Sequence, residues 1–310
     1  MNQKPEISYP AQFALLLLLL GAFMIIGSTV ILALASSQLH VTLRQVPDAL
    51  NRPENINLSR LQNTVFTLLA FFFPAFIYAR VVNRRPLVHL GFNSVMSSRQ
   101  IFQVLLLGIT ALIVSGSLGE LNQHIPLPQR WMIKARALED AYKATMLAMA
   151  AMKNFSEYLV VLFVIAVAPA VFEEVLFRGA FQQVFIGWTR NAWAGIIITS
   201  ILFSAIHFSY FGFLPRVALG MILGLIFYYS KNIWLNILLH FLNNGVVVTQ
   251  LYLAGRSGKP IDKTIDENPP MWWSIFGIIA LVFLFRAFRK ETGRVLAAET
   301  ISSPSENTIE

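Results

Sequence analysis

Glu173 and Glu174 stand side by side in the run FVIAVAPAVFEEVLFRGAF, Phe163 to Phe181, where Arg178 is the only other charged residue. A charge at bilayer depth costs about 2.5–3.5 kcal/mol even on lenient insertion scales, and such residues face a bundle interior or a water-filled cavity. Two adjacent like charges cost more unless they are paired or one is protonated. Glu174 and Arg178 are four apart, so they pair on one helix face. Glu173, turned by about 100°, is left to point elsewhere. Further along, His207 follows Phe203 at four residues, and Asn236, His240 and Asn244 repeat at four-residue spacing, with Asn243 adjacent. Acids, imidazoles and amides on three neighbouring apolar segments have the makings of acid–base chemistry on a bound substrate.

Those residues need helices to carry them. The chain has 310 residues, 56% hydrophobic and 13% charged, the composition of an integral membrane protein. Apolar stretches long enough to span a bilayer occur at 12–36, 62–82, 100–120, 157–186, 192–211, 213–230, 232–254 and 271–288. The reading is an all-α, polytopic membrane helix bundle of about eight transmembrane helices. The fourth span holds the glutamates, and the fifth and seventh hold His207 and His240. Spans five to seven are joined by very short turns and form a tight antiparallel set. Leu15 to Leu34 is about 20 residues of apolar chain, longer than the roughly 7–15 of a signal h-region, and reads as a first transmembrane helix.

The formal charge of +8 sits in loops, where it sets topology and meets anionic lipid head groups. Arg80, Arg84, Arg85 and Arg99 follow span two, and Arg286, Arg289, Lys290 and Arg294 follow span eight. With eight spans both sets are cytoplasmic if the N-terminus is, so both termini are expected there. No basic helix is interleaved with aromatic residues, and nucleic acid is not expected as a partner. Trp131 to Met152 places Met132, Leu138, Tyr142, Met146 and Met149 at helical spacing, as in an amphipathic helix lying at the interface. The Ser-, Glu- and Thr-rich tail, 296–310, is expected to be disordered.

Several chemistries are excluded. With no cysteine there is no disulfide, no Cys-ligated zinc and no catalytic thiol. Asp48, Asp140, Asp262 and Asp266, the four aspartates, all fall in loops, which rules out an intramembrane aspartyl protease. Ser204 is near His207, but no GxSxG elbow occurs. A transporter with a proton relay through Glu173, His207 and His240 is the main non-enzymatic alternative, although neither an inverted repeat nor a pair of broken helices is present.

Glu173-Glu174-Val-Leu-Phe-Arg178, Phe203-Ser-Ala-Ile-His207 and His240-Phe-Leu-Asn243-Asn244 resemble the EExxxR, FxxxH and HxxxN motifs of the CAAX-protease and bacteriocin-processing (CPBP, or Abi) family. The resemblance covers residues 157–250 and implies an intramembrane endopeptidase of about eight helices. It implies that Glu173 activates a water, that His207 holds or polarises it, and that His240 and Asn244 stabilise the oxyanion. Glu174 and Arg178 support the site beside Asn243. The family has been described both as glutamate-dependent and as a metalloprotease. The metal-free mechanism with no cofactor is favoured here, and a zinc site would draw on Glu173, His207 and His240. The division is then 1–155, three spans with the interfacial helix; 156–255, the peptidase core; 256–295, a loop and the last helix; and 296–310, the tail. Partners are a peptide or membrane-protein substrate and membrane lipid, and a compact chain of this kind suits a bacterial inner membrane. A transporter or a bacteriocin-immunity scaffold is the alternative to an enzyme.

Overall fold

A computed structural model describes residues 7–257 and 269–302. Among them every regular element is a helix: α1 Tyr9–Leu39, α2 Pro53–Val82, α3 Ser98–Gln123, α4 Gln129–Met149, α5 Phe155–Thr189, α6 Ala192–Ala205, α7 Phe213–Ser230, α8 Ile233–Arg256 and α9 Trp273–Ser302, with short helical turns at Val46–Leu50 and Pro86–His89 in the connections. Asp262, Asp266 and the tail beyond Ser302 lie outside the described residues.

Six of these helices, α1, α2, α3, α5, α7 and α8, are long and apolar enough to cross a membrane. The expected number was eight, and the two remaining segments fall short for different reasons. Helix α6 has 14 residues, or about 21 Å at 1.5 Å per residue, because it ends at Ala205 instead of running on to 211. Helix α9 is apolar only as far as Phe285, after which Arg286, Arg289 and Lys290 enter. It then continues past Val295 to Ser302, so residues 296–302, read from sequence as part of a disordered tail, are helical. The helix expected over 131–152 is found as α4, ending at Met149 instead of Met152. Its Trp131 and Leu138, seven residues apart and so on one face, are exposed.

The sequence stops and starts these helices with a repeated device. Arg190 and Lys231 each end a helix in the left-handed conformation, with φ of 54° and 51°. Each is followed by an asparagine that caps the next helix: Asn191 accepts from the Ala194 N–H, and Asn232 from the Trp234 N–H. A left-handed residue reverses the chain in one step, and the asparagine oxygen satisfies an N–H that the new helix cannot. The result is the tight antiparallel set α5–α6–α7–α8. Asn154 caps α5 in the same way, and Ser97 with Gln100 forms a capping box at the start of α3.

Hydrogen bonds between connections define two ends of the bundle. At one end the Ile233 N–H donates to Gly91, Asn232 donates to the carbonyls of Asn93 and Val95, and Ser97 donates to Glu291. At the other, Asn122 meets Tyr210, Ser209 meets Glu139, and Arg60 of α2 donates to the carbonyls of Met149, the last residue of α4, and Ala151 just past it. Between the ends, the core is apolar around Leu176, Phe177, Phe181 and Phe203 on one side and Leu223, Ile226, Leu235 and Leu239 on the other. Outward-facing side chains such as Leu18, Ile25, Phe102, Phe276 and Phe283 form an apolar surface that only lipid would tolerate on this scale. The protein is an all-α integral membrane protein.

Candidate functional site

Helix α5 has 35 residues and is not uniform. It widens into π-helical turns at Leu162–Val167 and again at Phe177–Gln182. Between them, Ala168–Leu176 is regular and carries both glutamates. π-Turns inside α-helices recur at functional sites because they loosen the backbone ladder and redirect side chains.

Glu174 is the hub. It is fully buried and receives three donors. Arg178 Nη1 donates to its Oε1 at 2.7 Å, as the i,i+4 spacing predicts. His240 Nδ1 lies 2.9 Å from the same oxygen, and Asn236 Nδ2 donates to Oε2 at 3.2 Å. Arg178 and Asn236, also fully buried, each reach a backbone carbonyl of α7: Gly220 at 3.2 Å and Leu223 at 2.7 Å. Gln182 reaches a third, Gly224, at 2.9 Å. Helix α7 comes this close because Gly220 and Gly224 are small. A Cβ on Gly224 would lie 2.8 Å from Ile196 and 2.9 Å from Gln182 Oε1. Small residues four apart let membrane helices approach closely.

Glu173 points to a different place. Its Oε2 is 3.9 Å from His240 Nε2, and among the described residues it has no hydrogen-bond donor. His240 therefore stands between the two glutamates, held through Nδ1 by Glu174 with Nε2 turned toward Glu173. A carboxylate on one imidazole nitrogen fixes the ring and dedicates the other to chemistry. Phe203 joins the third motif to the first two. Its ring packs against the guanidinium of Arg178 (4.8 Å to the centroid), His240 (5.9 Å) and His207 (5.2 Å). His207 does not lie within a helix, as its span placement implied. It sits two residues past the end of α6, with Nδ1 2.8 Å from the Phe203 carbonyl.

Asn244 meets the turn before Pro169. Proline supplies no N–H to the turn before it, and that turn is π-helical, with the Ala168 N–H bonded to the Phe163 carbonyl. Asn244 Nδ2 donates to the Ile165 carbonyl at 3.3 Å, while its Oδ1 accepts from Asn243 Nδ2 at 3.1 Å. The turn before Pro169 is thus a docking point for α8. Asn243 also lines a cavity of about 890 Å³ bounded by α3, α4, α7 and α8, together with Gly116, Arg136, Glu139 and Arg216. Arg216 was not among the polar residues singled out from sequence, although an arginine in the first turn of an apolar helix is a visible signal. Its charge is close enough to act on both Glu173 and His207, and its Nη1 is enclosed without a hydrogen-bond partner among the described residues.

The fold and this cluster define a polytopic membrane protein with a buried acid–imidazole–amide site. Residues 155–246 match the family model described as type II CAAX prenyl endopeptidase Rce1-like, and the EExxxR, FxxxH and HxxxN motifs all lie within that segment. The match supports a CAAX-type intramembrane endopeptidase in general terms, a hydrolase acting on a membrane-associated protein or peptide. No curated protein and no solved structure matches the chain.

Proposed function

We propose that the protein hydrolyses a peptide bond of a membrane-associated substrate by a water that Glu173 activates. The observation that carries this reading is the split between the two glutamates. Glu174 is spent on Arg178, Asn236 and His240, whereas Glu173 faces His240 Nε2 with no donor of its own among the described residues. In this mechanism Glu173 takes a proton from water while the hydroxide oxygen bonds to the scissile carbonyl carbon. The carbonyl oxygen becomes an oxyanion, stabilised by His240 Nε2–H and by the second N–H of Asn244. The proton on Glu173 then passes to the leaving nitrogen as the C–N bond breaks. His207 holds the water, and Arg178 and Glu174 keep His240 in register. A carboxyl group in a desolvated pocket is suited to this shuttle, and donors aimed at a developing oxyanion contribute about 10²–10³ in rate each.

The test is cleavage of a membrane-peptide library by purified protein in detergent, with wild type compared with Glu173→Ala, each with and without a zinc chelator. Cleavage lost in the variant and retained with chelator supports the metal-free reading. Loss with chelator transfers the same residues, Glu173, His207 and His240, to a zinc site. No cleavage by well-folded wild type turns the reading toward a transporter or an immunity scaffold.

A further inference from the structure

His207 lies past the end of α6, and the structure ties it back to that helix by its N–H on the Ser204 carbonyl and its Nδ1 at 2.8 Å from the Phe203 carbonyl. The next residue, Phe208, has φ of 51° and a side chain 76% exposed. An aromatic residue in the left-handed region costs about 1–2 kcal/mol, and such a conformation persists only where the surroundings over-determine it. Several side chains hold this turn: Ser204 donates to the Phe213 carbonyl at 2.8 Å, the Tyr210 hydroxyl to the Ile125 carbonyl at 3.1 Å, and Asn122 makes two bonds to it. Asn122, in the last turn of α3, is 1% exposed. Its Nδ2 donates to the Tyr210 carbonyl at 2.9 Å, and its Oδ1 accepts from the Leu214 N–H at 2.9 Å. Leu214 is in the first turn of α7, whose N-cap is Gly212 and supplies no side-chain acceptor. Asn122 therefore caps α7 from another helix and ties that cap to the His207 turn in the same stroke. A smaller latch comes from α4, where Ser209 donates to Glu139 Oε2 at 2.7 Å and accepts from the Gly212 N–H.

We propose that Asn122 is a positioning residue for His207, holding the turn 206–212 between α3 and the start of α7 so that the imidazole is kept at Phe203 and the acid site. This deepens the peptidase reading and rests on it for its kinetic arm only. The groups of Asn122 are matched one donor to one acceptor, so Asn122→Asp keeps the acceptor for Leu214 and sets an oxygen against the Tyr210 carbonyl. Asn122→Ala removes both bonds.

The experiment uses the full chain in detergent micelles with ¹⁵N-labelled histidine, His207 and His240 being assigned from single substitutions, alongside steady-state kinetics on a cleaved peptide. In Asn122→Asp, kcat is expected to fall about 10- to 100-fold, with KM within about threefold of wild type, because a displacement of about 1 Å at a reacting group costs on this order. The His207 ring signals move and those of His240 stay. If Asn122→Ala does not fold, Asn122→Asp decides alone. Wild-type kcat in folded Asn122→Asp overturns the proposal, as does equal movement of both histidines, which marks a general loosening. If wild type cleaves no peptide the peptidase reading fails instead, and the signals alone decide: unmoved His207 in Asn122→Asp overturns the positioning role, and selectively moved His207 upholds it.

Discussion

The two adjacent glutamates differ in what they touch, so they should differ in what their loss does. Glu174→Gln removes the one carboxylate, among the described residues, bonded to a fully buried Arg178. Breaking a buried pair from one side costs about 3–5 kcal/mol, so this variant should melt far lower than wild type or fail to fold. Glu173→Gln leaves every hydrogen bond of Glu174 in place and relieves a like-charge neighbour. It should melt within a few degrees of wild type and lose peptide cleavage. Melting curves in detergent run beside the cleavage assay distinguish the two. A second residue-scale expectation concerns His89, outside the spans. Its Nε2 is enclosed without a partner among the described residues, its ring packs 5.8 Å from Tyr78, and burial lowers its pKa below the ordinary 6.5. The folded protein favours the neutral ring. The contribution to stability is complete above pH 6.5 and is lost as pH falls, because the unfolded chain takes up the proton first. His89→Phe should therefore flatten the fall in melting temperature between pH 7.5 and 5 relative to wild type. An unchanged slope would exclude this histidine as the cause.

At the scale of elements, α5 and α8 are joined where α5 is weakest as a helix. Pro169 supplies no N–H to the turn that holds Ile165, and Asn244 donates to the Ile165 carbonyl from α8. Asn244→Ala should cost about 1–3 kcal/mol in an otherwise wild-type chain, the cost of an unsatisfied buried acceptor. In a Pro169→Ala background the new N–H can serve Ile165, and the same substitution should cost less. A double-mutant cycle by thermal or denaturant unfolding measures the difference, and a coupling below about 0.5 kcal/mol would separate the two residues. The EExxxR string was legible in sequence because i,i+4 geometry is local: Glu174 meets Arg178 as that spacing requires. The stripe Asn236, His240 and Asn244 was legible as one helix face, but its division was not. Two members turn to Glu174 and the third to Ile165, and nothing in an i,i+4 repeat says which neighbour lies opposite each turn.

For the whole molecule, the hydrogen bonds between connections put the turns after α2 and α7 with the second half of α9 at one end, and the His207 turn with α4 at the other. We propose that the first end is cytoplasmic, from its arginines and lysines in short loops. The chain has no cysteine, so single cysteines report topology directly. Asn83→Cys, after α2, should be protected from an impermeant maleimide in intact cells and react once the membrane is opened. Asn51→Cys, after α1, should react from outside without opening. The reverse pattern would invert the orientation and put the cavity beside Asn243 and Arg216 on the cytoplasmic side.

Sequence by itself determined the all-helical membrane character, the existence of the helix α4 and the three motifs, because hydropathy, helical period and i,i+4 pairing are properties of local chain. It overextended α6 because apolar composition continues past Ala205, and the turn there is stabilised by Asn122 of α3, 88 residues from its partner Tyr210. It also missed Arg216, and it could not say that Glu174 would be consumed by three donors while Glu173 stayed open. Those outcomes depend on which carbonyls of α7 come within reach through Gly220 and Gly224, and close approach between helices far apart in sequence is decided only when the bundle packs.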